Sequence, residues 1–262
     1  MRYIVCVKEV PDTTDVKIDP KTNTLVREGV PAIINPFDMY AVESALDLRD
    51  RYGGEVVVIS MGPPKVETNL RNLIAMGVDR AILLSDRAFA GADTWATAKT
   101  LSTAIKKLGN FDLIFVGRQA TDGDTAQVGP GIAEALGLPQ GLYVRRVIEI
   151  KDGKGKFERI SESGTEIIEL PLPCLVSIVK GDKEPRLPSL RGMLRAKKES
   201  ITIMNRESLA LQESDVGLQG SPTRVIKVFT PPQRACGEII QGTDPEKAAE
   251  FILENLKKEK LI

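Results

Sequence analysis

The sequence contains no histidine among its 262 residues and only three cysteines. The lack of histidine excludes Ser-His and Cys-His nucleophile pairs and removes the commonest general base and the usual zinc ligand. Cys6, Cys174 and Cys236 form no C-x-x-C pair, so their spacing indicates neither a metal site nor an iron–sulfur cluster. We therefore expect reduced thiols, no metal ligands, and a cofactor as the carrier of any chemistry.

Long apolar runs are also missing. The N-terminal run Tyr3–Val7 is too short for a signal peptide or a membrane span, and no later stretch reaches about 18 apolar residues. The 36 basic and 36 acidic side chains cancel, and 42% of the residues are hydrophobic. This is the composition of an ordinary globular protein, which we expect to be cytoplasmic and not inserted in a membrane.

Short apolar runs alternate with helical patterns over the first 140 residues. The runs are Tyr3–Val7, Val56–Met61, Ala81–Leu84 and Leu113–Val116. Continuous apolar runs are typical of strands buried on both faces of a parallel sheet, and the helices between them predict right-handed βαβ crossovers. The pattern predicts an α/β fold with a doubly wound, mainly parallel sheet.

The pattern changes after Pro139. Asp152-Gly153 lies between two β-type segments and predicts a hairpin. Pro171 and Pro173 confine the next β-type stretch, Glu166–Leu170 followed by Cys174–Val179, to an edge or a bend. We therefore expect antiparallel additions to the parallel sheet. Residues 183–232 are polar and proline-rich without a clear element, which predicts an extended arm around a partner. A capped helix begins again at Asp244-Pro245.

The segment from Gly117 to Pro130, GRQATDGDTAQVGP, follows a predicted strand and leads into a helix. Ligands of open α/β sheets bind beyond the carboxyl ends of the strands, and a helix N-terminus suits a phosphate. Since two aspartates would repel a phosphate, we expect Asp122 and Asp124 to cap the helix or to accept from hydroxyls while backbone amides hold the anion. Arg118 is the one cation of the segment. A capped loop without a ligand is the alternative.

Three more loops belong to the same predicted edge: Cys6–Lys8, Asn35–Asp38 and Ser60–Pro63. Each has a local explanation as a turn or a cap, but four converging loops predict a nucleotide pocket. The sequence has no G-x-x-x-x-G-K-[ST] and no G-x-G-x-x-G after its first strand. A P-loop ATPase and a standard Rossmann dehydrogenase are therefore not supported.

Positive charge is concentrated between Lys180 and Lys198, where seven basic residues face two acidic ones. Four apolar residues lie among them: Leu187, Leu190, Met193 and Leu194. Apolar anchors within positive charge predict a docking surface for an acidic protein, with an ordinary basic loop as the alternative. Nucleic acid is not expected as a partner, because the segment has no aromatic residues and the chain is neutral overall.

Taken together, the segments resemble the β subunits of electron-transfer flavoproteins along essentially the whole chain. The stretches that carry the resemblance are Val5–Lys8, Asn35–Asp38 with Ala41–Glu43, Met61–Pro63, Ala75–Arg80, Gly117–Ala120 with Asp122 and Asp124, Glu184–Arg186, and Ala196–Lys198. The resemblance implies an adenine-nucleotide α-hydrolase-like domain in residues 1–182 and a heterodimer with an α subunit. It also implies a recognition loop and arm in residues 183–232 and a C-terminal segment with a helix in residues 233–262.

Members of this family hold either AMP or a second FAD in the β subunit. The segments Asp122–Pro130, Ser221–Val225 and Phe229–Pro232 resemble the FAD-holding, electron-bifurcating kind, in which NADH donates a hydride and electrons pass to ferredoxin or flavodoxin and to the α-subunit FAD. An AMP-holding subunit with a structural role is the alternative. A nucleotide-binding regulator resembling universal stress proteins is a further one, although the glycine-rich ATP loop of those proteins is missing.

The resemblance assigns residues to two roles, and no residue to catalysis. The cofactor-binding residues are Cys6, Asn35, Pro36, Phe37, Asp38, Met61, Gly117, Arg118, Gln119, Ala120, Thr121, Asp122, Gly123, Asp124, Thr125, Ala126, Gln127, Val128, Thr223 and Arg224. The residues that would dock an acyl-CoA or similar flavin dehydrogenase are Leu187, Leu190, Arg191, Met193 and Leu194.

Overall fold

The computed structural model describes residues 1–12, 18–19, 24–25, 31–226 and 244–262. Its strands are β1 (Arg2–Val7), β2 (Glu9–Pro11), β3 (Ile18–Asp19), β4 (Thr24–Leu25), β5 (Ala32–Ile34), β6 (Glu55–Met61), β7 (Arg80–Leu84), β8 (Leu113–Gly117), β9 (Gln140–Lys151), β10 (Lys154–Ser161), β11 (Gly164–Pro171), β12 (Cys174–Ile178) and β13 (Thr202–Met204). Its helices are α1 (Pro36–Tyr52), α2 (Glu67–Met76), α3 (Thr94–Leu108), α4 (Val128–Leu136), α5 (Leu190–Lys198) and α6 (Pro245–Lys258).

A nine-stranded sheet has the strand order β11-β10-β9-β12-β8-β1-β6-β7-β13. The pairs from β9 to β13 are parallel, and β9–β10 and β10–β11 are antiparallel. Two short antiparallel pairs, β2–β5 and β3–β4, lie in the connection between β1 and α1. The predicted α/β class with a mainly parallel sheet and antiparallel additions is confirmed.

The two faces of the sheet carry separate apolar cores. In β1, Tyr3 and Val5 pack with α1 and α2 on one face, while Ile4 and Cys6 pack with α3 and α4 on the other. This alternation explains why the strand is a continuous apolar run in the sequence, because each face needs its own apolar side chains. The doubly wound arrangement follows directly from it.

The hairpin prediction is correct. The edge prediction is correct for β11, which is the outermost strand of the sheet, and wrong for β12. Asp152 and Gly153 both have positive φ, as a two-residue hairpin turn requires, and they join β9 to β10. β12, however, is a buried parallel strand between β8 and β9. Pro171 and Pro173 lie just before β12 and not within it, so neither proline removes a hydrogen bond from that strand.

The segment 183–232 contains regular elements that the sequence did not indicate. Helix α5 and strand β13 both lie in it, and β13 extends the sheet by pairing with β7. The part from 227 to 232, including the predicted Phe229–Pro232 motif, lies outside the described residues, as does Cys236. The described cysteines, Cys6 and Cys174, are buried free thiols, as expected.

The chain divides into two compact units, Met1–Lys227 and Val228–Ile262. In the second unit α6 begins where the sequence predicts, since the Asp244 side chain accepts from the N–H groups of Glu246 and Lys247. The division at residues 182 and 232 stays a prediction. None of the helices described is long and apolar enough to cross a bilayer.

Candidate functional site

The strand order reverses at β1, which places a crevice between β1 and β8. The chain moves from β1 to β6 and β7 on one side, and then returns to β8 on the other side. Open α/β sheets bind ligands in such a crevice, beyond the carboxyl ends of the strands. Lys8 follows β1 and Arg118 follows β8, so both stand at this edge.

A buried carboxylate fixes the floor of the crevice. The Lys8 N–H donates to Asp38 Oδ2 at 2.7 Å, and the Asn35 side-chain amide donates to Asp38 Oδ1 at 2.9 Å. The same amide donates to the Gln119 carbonyl at 2.8 Å, while Asn35 Oδ1 accepts from the Thr121 N–H at 3.2 Å. Asn35 and Asp38 therefore tie the end of β1, the start of α1 and the loop after β8 together.

Glycine is required at position 117 because of this carboxylate. A Cβ atom at Gly117 would lie 2.1 Å from Asp38 Oδ1 and 2.7 Å from the Asp38 nitrogen. Asp38 is buried, and burial raises the pKa of its carboxyl group to about 7, although bonds from Asn35 and from the Lys8 and Gly117 backbones oppose that rise. We conclude that Asp38 supports the site from beneath.

An ion pair connects the two sides of the crevice. Lys8 Nζ lies 2.5 Å from Asp122 Oδ1, and the Gln119 side chain donates to Asp124. Of the two roles expected for these aspartates, the helix cap is wrong, because α4 begins only at Val128 and Gln127 is its N-cap residue. Acceptance from hydroxyls stays a prediction. The chain turns between them and the helix, with φ of 55° at both Asp124 and Ala126.

Arg118 lies over two aromatic rings. Its guanidinium carbon is 5.8 Å from the centre of the Phe37 ring and 5.7 Å from the centre of the Tyr143 ring, within the range of cation–π attraction. Phe37 belongs to the first turn of α1 and Tyr143 belongs to β9. The cation predicted from the sequence is therefore held at the edge of the crevice by two neighbouring elements.

The crevice has the properties that a phosphate-binding site requires. The first turn of α4 points N–H groups without intrahelical acceptors toward this edge, and Gly129 lets the helix lie against β8, since a Cβ there would be 2.8 Å from Val116. Gly123 has open space, with its nearest contact 3.9 Å away. Among the buried side-chain oxygens and nitrogens described, only Ser60 Oγ, at the end of β6, has no hydrogen-bond partner. A phosphate-bearing group fits these residues.

The remaining predicted cofactor residues differ in their placement. Cys6 is buried at the crevice end of β1, where burial raises the pKa of its thiol to about 12, and Met61 is half-buried at the end of β6. Pro36 opens α1 and is exposed. The loop residues that complete the predicted set are Ala120, Thr121, Thr125 and Gln127, and they lie between β8 and α4.

Thr223 and Arg224 are placed at another position along the same edge. The N–H and hydroxyl groups of Thr223 donate to Asp93 Oδ2 at 3.0 and 2.8 Å, and the Asp93 N–H donates to Ser221 Oγ at 2.8 Å. Asp93 is the N-cap of α3, which follows β7. β7 is separated from β1 by β6, so the structure brings these two residues to the edge but not into the β1–β8 crevice itself.

Helix α5 is fixed against α2 with its apolar side chains outward. Arg71 donates to the Ala196 carbonyl at 2.6 Å, Arg195 donates to the Ile74 carbonyl at 2.9 Å, and a Cβ at Gly192 would lie 1.9 Å from the Ala75 oxygen. Leu187 and Leu190 are 86% and 80% exposed, and Leu194 is 64% exposed. The predicted docking residues Leu190, Arg191, Met193 and Leu194 are therefore presented on a rigid helix, and Leu187 lies in the segment just before it.

Comparison with known proteins identifies the family. The profile of the electron transfer flavoprotein domain matches residues 22–209. The chain is 50% identical to the electron transfer flavoprotein subunit beta of Thermoanaerobacterium thermosaccharolyticum, and the match covers the whole of both chains. The chain belongs to the electron transfer flavoprotein β-subunit family.

Two further relatives have more specific names. The caffeyl-CoA reductase-Etf complex subunit CarD of Acetobacterium woodii is 49% identical over the whole of both chains. The protein FixA of Bradyrhizobium diazoefficiens is 46% identical over 90% of this chain and 84% of its own. The family assignment made from the motifs is confirmed, and it replaces the alternative of a regulator resembling universal stress proteins.

Sequence reasoning did not assign three residues of this β subunit that the structure places at the edge: Lys8, Asp93 and Tyr143. Lys8 belongs to the Cys6–Lys8 loop that the sequence analysis placed at this edge, but its ion pair with Asp122 was not predicted. Asp93 carries a signal, because aspartate before threonine is a common helix start. Tyr143 carries no signal in the sequence, because its position over Arg118 depends on a positive φ and on contacts with distant segments.

We expect Gly117→Ala to lower the free energy of unfolding by about 3 kcal/mol, because the new methyl group overlaps the buried Asp38 carboxylate. Urea unfolding of the chain without nucleotide measures this. Gly123→Ala is the matched control in the same loop, since its Cβ enters open space, and it should change stability by less than about 0.5 kcal/mol. Equal effects of the two substitutions would contradict the assigned packing.

Asp38 also predicts a pH dependence. Its pKa is about 7 in the folded chain and near 3.8 when unfolded, so the folded state binds more protons between these values. Its contribution to stability is complete below pH 3.8 and is lost as the pH rises through 7, by up to about 1.4 kcal/mol per pH unit. Asp38→Asn lowers stability at every pH but should remove this slope. Parallel curves for the two proteins from pH 5 to 8 would show that Asp38 does not titrate there.

Proposed function

We propose that this β subunit forms a heterodimer with an electron transfer flavoprotein α subunit in the cytoplasm and holds FAD in the β1–β8 crevice. In this function NADH delivers a hydride to the flavin, and the electrons pass separately to ferredoxin or flavodoxin and, through the α-subunit FAD, to a flavin dehydrogenase. The observation that carries the proposal is the crevice, where the N-terminus of α4, Arg118 and the open Gly123 meet at the strand-order reversal. The name of the Acetobacterium relative, which includes both a reductase and an Etf complex, supports it.

The residues of this chain have positioning tasks in such a site. When bound, the flavin supplies the hydride and electron chemistry, so the protein needs no histidine. The first-turn N–H groups of α4 and the Arg118 guanidinium would hold the phosphates. Lys8 neutralises Asp122, which lets an acidic loop lie beside an anion. Asn35 fixes the loop by holding the Gln119 carbonyl and the Thr121 N–H, so the loop is ordered before a ligand binds.

Docking of the dehydrogenase is assigned to α5. Arg191, Lys197 and Lys198 make no ion pair within the described part of the chain, whereas Arg186 pairs with Glu43 at 2.9 Å. Exposed leucines within unpaired positive charge suit an acidic protein surface with an apolar recess. The hydrogen bonds that Arg71 and Arg195 make between α2 and α5 fix the helix in position. Docking would therefore cost less conformational entropy.

We expect the purified heterodimer to release two FAD and no AMP per αβ pair when it is denatured by acid. Separation of the released nucleotides by chromatography, with the protein concentration measured independently, gives the ratio. One FAD together with one AMP would overturn the bifurcating function and favour the AMP-holding alternative. A β subunit that releases no adenine nucleotide would contradict both forms.

We expect Leu190→Ala to raise the KM for the partner dehydrogenase by about tenfold, since an apolar anchor at an interface is worth about 1–2 kcal/mol. The rate with a small artificial acceptor should not change, because α5 does not touch the crevice. Leu218→Ala is the control, an exposed leucine outside α5. An equal KM increase in both variants would argue against α5 as the docking element.

A further inference from the structure

Tyr143 has a backbone conformation that a bulky side chain rarely adopts. Its φ is 60°, in the left-handed region, where a residue other than glycine, asparagine or aspartate is strained. The Tyr143 N–H donates to Ser177 Oγ at 2.9 Å, and the pairing of β9 with β12 shifts register between Val176 and Ile178. Strain of this kind persists only where the surroundings enforce it, and it is concentrated at functional sites.

The strained conformation brings the Tyr143 ring to Arg118. Tyr143 is 40% exposed, and the guanidinium carbon of Arg118 lies 5.7 Å from the centre of its ring, with Phe37 on α1 supplying the second ring. Arg118 is the first residue after β8 and opens the loop that leads to α4. Two aromatic contacts from different elements limit the positions that the long arginine side chain can occupy.

The N–H donors of Arg118 remain available to a ligand. No carboxylate of the described chain lies within ion-pair distance of its guanidinium group, whereas Lys8, the other cation of the crevice, is paired with Asp122. Arg118 is exposed, so its N–H groups can be reached from solvent, while the two rings hold its planar guanidinium group in place. An arginine held in this way, at the sheet edge where the N-terminus of α4 also lies, is suited to a phosphate group.

We propose that Tyr143 is a positioning residue, which with Phe37 directs Arg118 onto a phosphate of the nucleotide bound between β1 and β8. This role rests on the nucleotide-holding function proposed above. Tyr143 does not itself contact the nucleotide. Its effect therefore passes through Arg118 and is specific for the charged part of the ligand.

The test compares AMP with adenosine, which lacks the phosphate. Binding of each to the heterodimer, after its exchangeable nucleotide has been removed, is measured by calorimetry for wild type, Tyr143→Phe, Tyr143→Leu, Arg118→Met and the Tyr143→Leu/Arg118→Met double variant. We expect Tyr143→Leu to weaken AMP about fivefold and to leave adenosine unchanged, within the range of a cation–π contact. Tyr143→Phe keeps the ring and should stay within about twofold of wild type.

The double variant decides whether Tyr143 acts through Arg118. We expect Tyr143→Leu to weaken AMP no further once Arg118 is methionine, because the two substitutions then remove the same interaction. Additive losses, or an equal loss for adenosine, would overturn the role of Tyr143 while leaving nucleotide binding intact. A wild-type heterodimer that binds neither AMP nor FAD would overturn the proposed function itself. If Tyr143→Leu does not fold, Phe37→Leu removes the other ring from a helix without backbone strain, and the same comparison applies.

Discussion

The buried carboxylate of Asp38 joins three segments that are far apart in the sequence. It accepts from the backbone of Lys8 after β1 and from Asn35 before α1, and it occupies the space that a side chain at Gly117 after β8 would need. A buried carboxylate is costly unless donors surround it, and removal of the group would leave those donors unpaired. The crevice keeps its shape because displacement of any one segment would break a hydrogen bond to Asp38 and leave a buried polar group unpaired.

Charge in the crevice is arranged so that its acidic residues do not oppose an anion. Asp122 is paired with Lys8 across the strand-order reversal, and Asp124 is bound by Gln119 within its own loop. The remaining positive features, Arg118 and the N-terminus of α4, then determine what the site attracts. This explains how a loop with two aspartates can serve a phosphate-bearing ligand, although in the sequence those aspartates argue against one.

Much of the fold could be predicted, because strands buried on both faces are continuous apolar runs. β12 was wrongly predicted at an edge or a bend because Pro171 and Pro173, which precede the strand, were taken to restrict its pairing. α5 was missed because it is only nine residues long and includes Gly192. Its apolar residues Leu190, Met193 and Leu194 have helical spacing, but they were interpreted as exposed anchors in a loop and not as one face of a helix. The stability of α5 comes from contacts with α2. Arg71 of α2 donates to the Ala196 carbonyl, Arg195 of α5 donates to the Ile74 carbonyl of α2, and local spacing does not encode such contacts. Tyr143 was unpredictable for the same reason.

Helix α1 connects the crevice to the docking helix. Asp38 in its first turn holds the crevice, and five residues later Glu43, also buried, accepts from the Arg186 backbone and guanidinium at 2.9 Å, just before α5. Five residues of α-helix span about 7.5 Å, so both anchors belong to one rigid element. The position of α5 relative to the crevice is thus set by a helix and not by a loop. In the proposed function this matters more than any acid or base, because electron transfer requires that a protein docked on α5 always lie at the same distance from a cofactor held in the crevice.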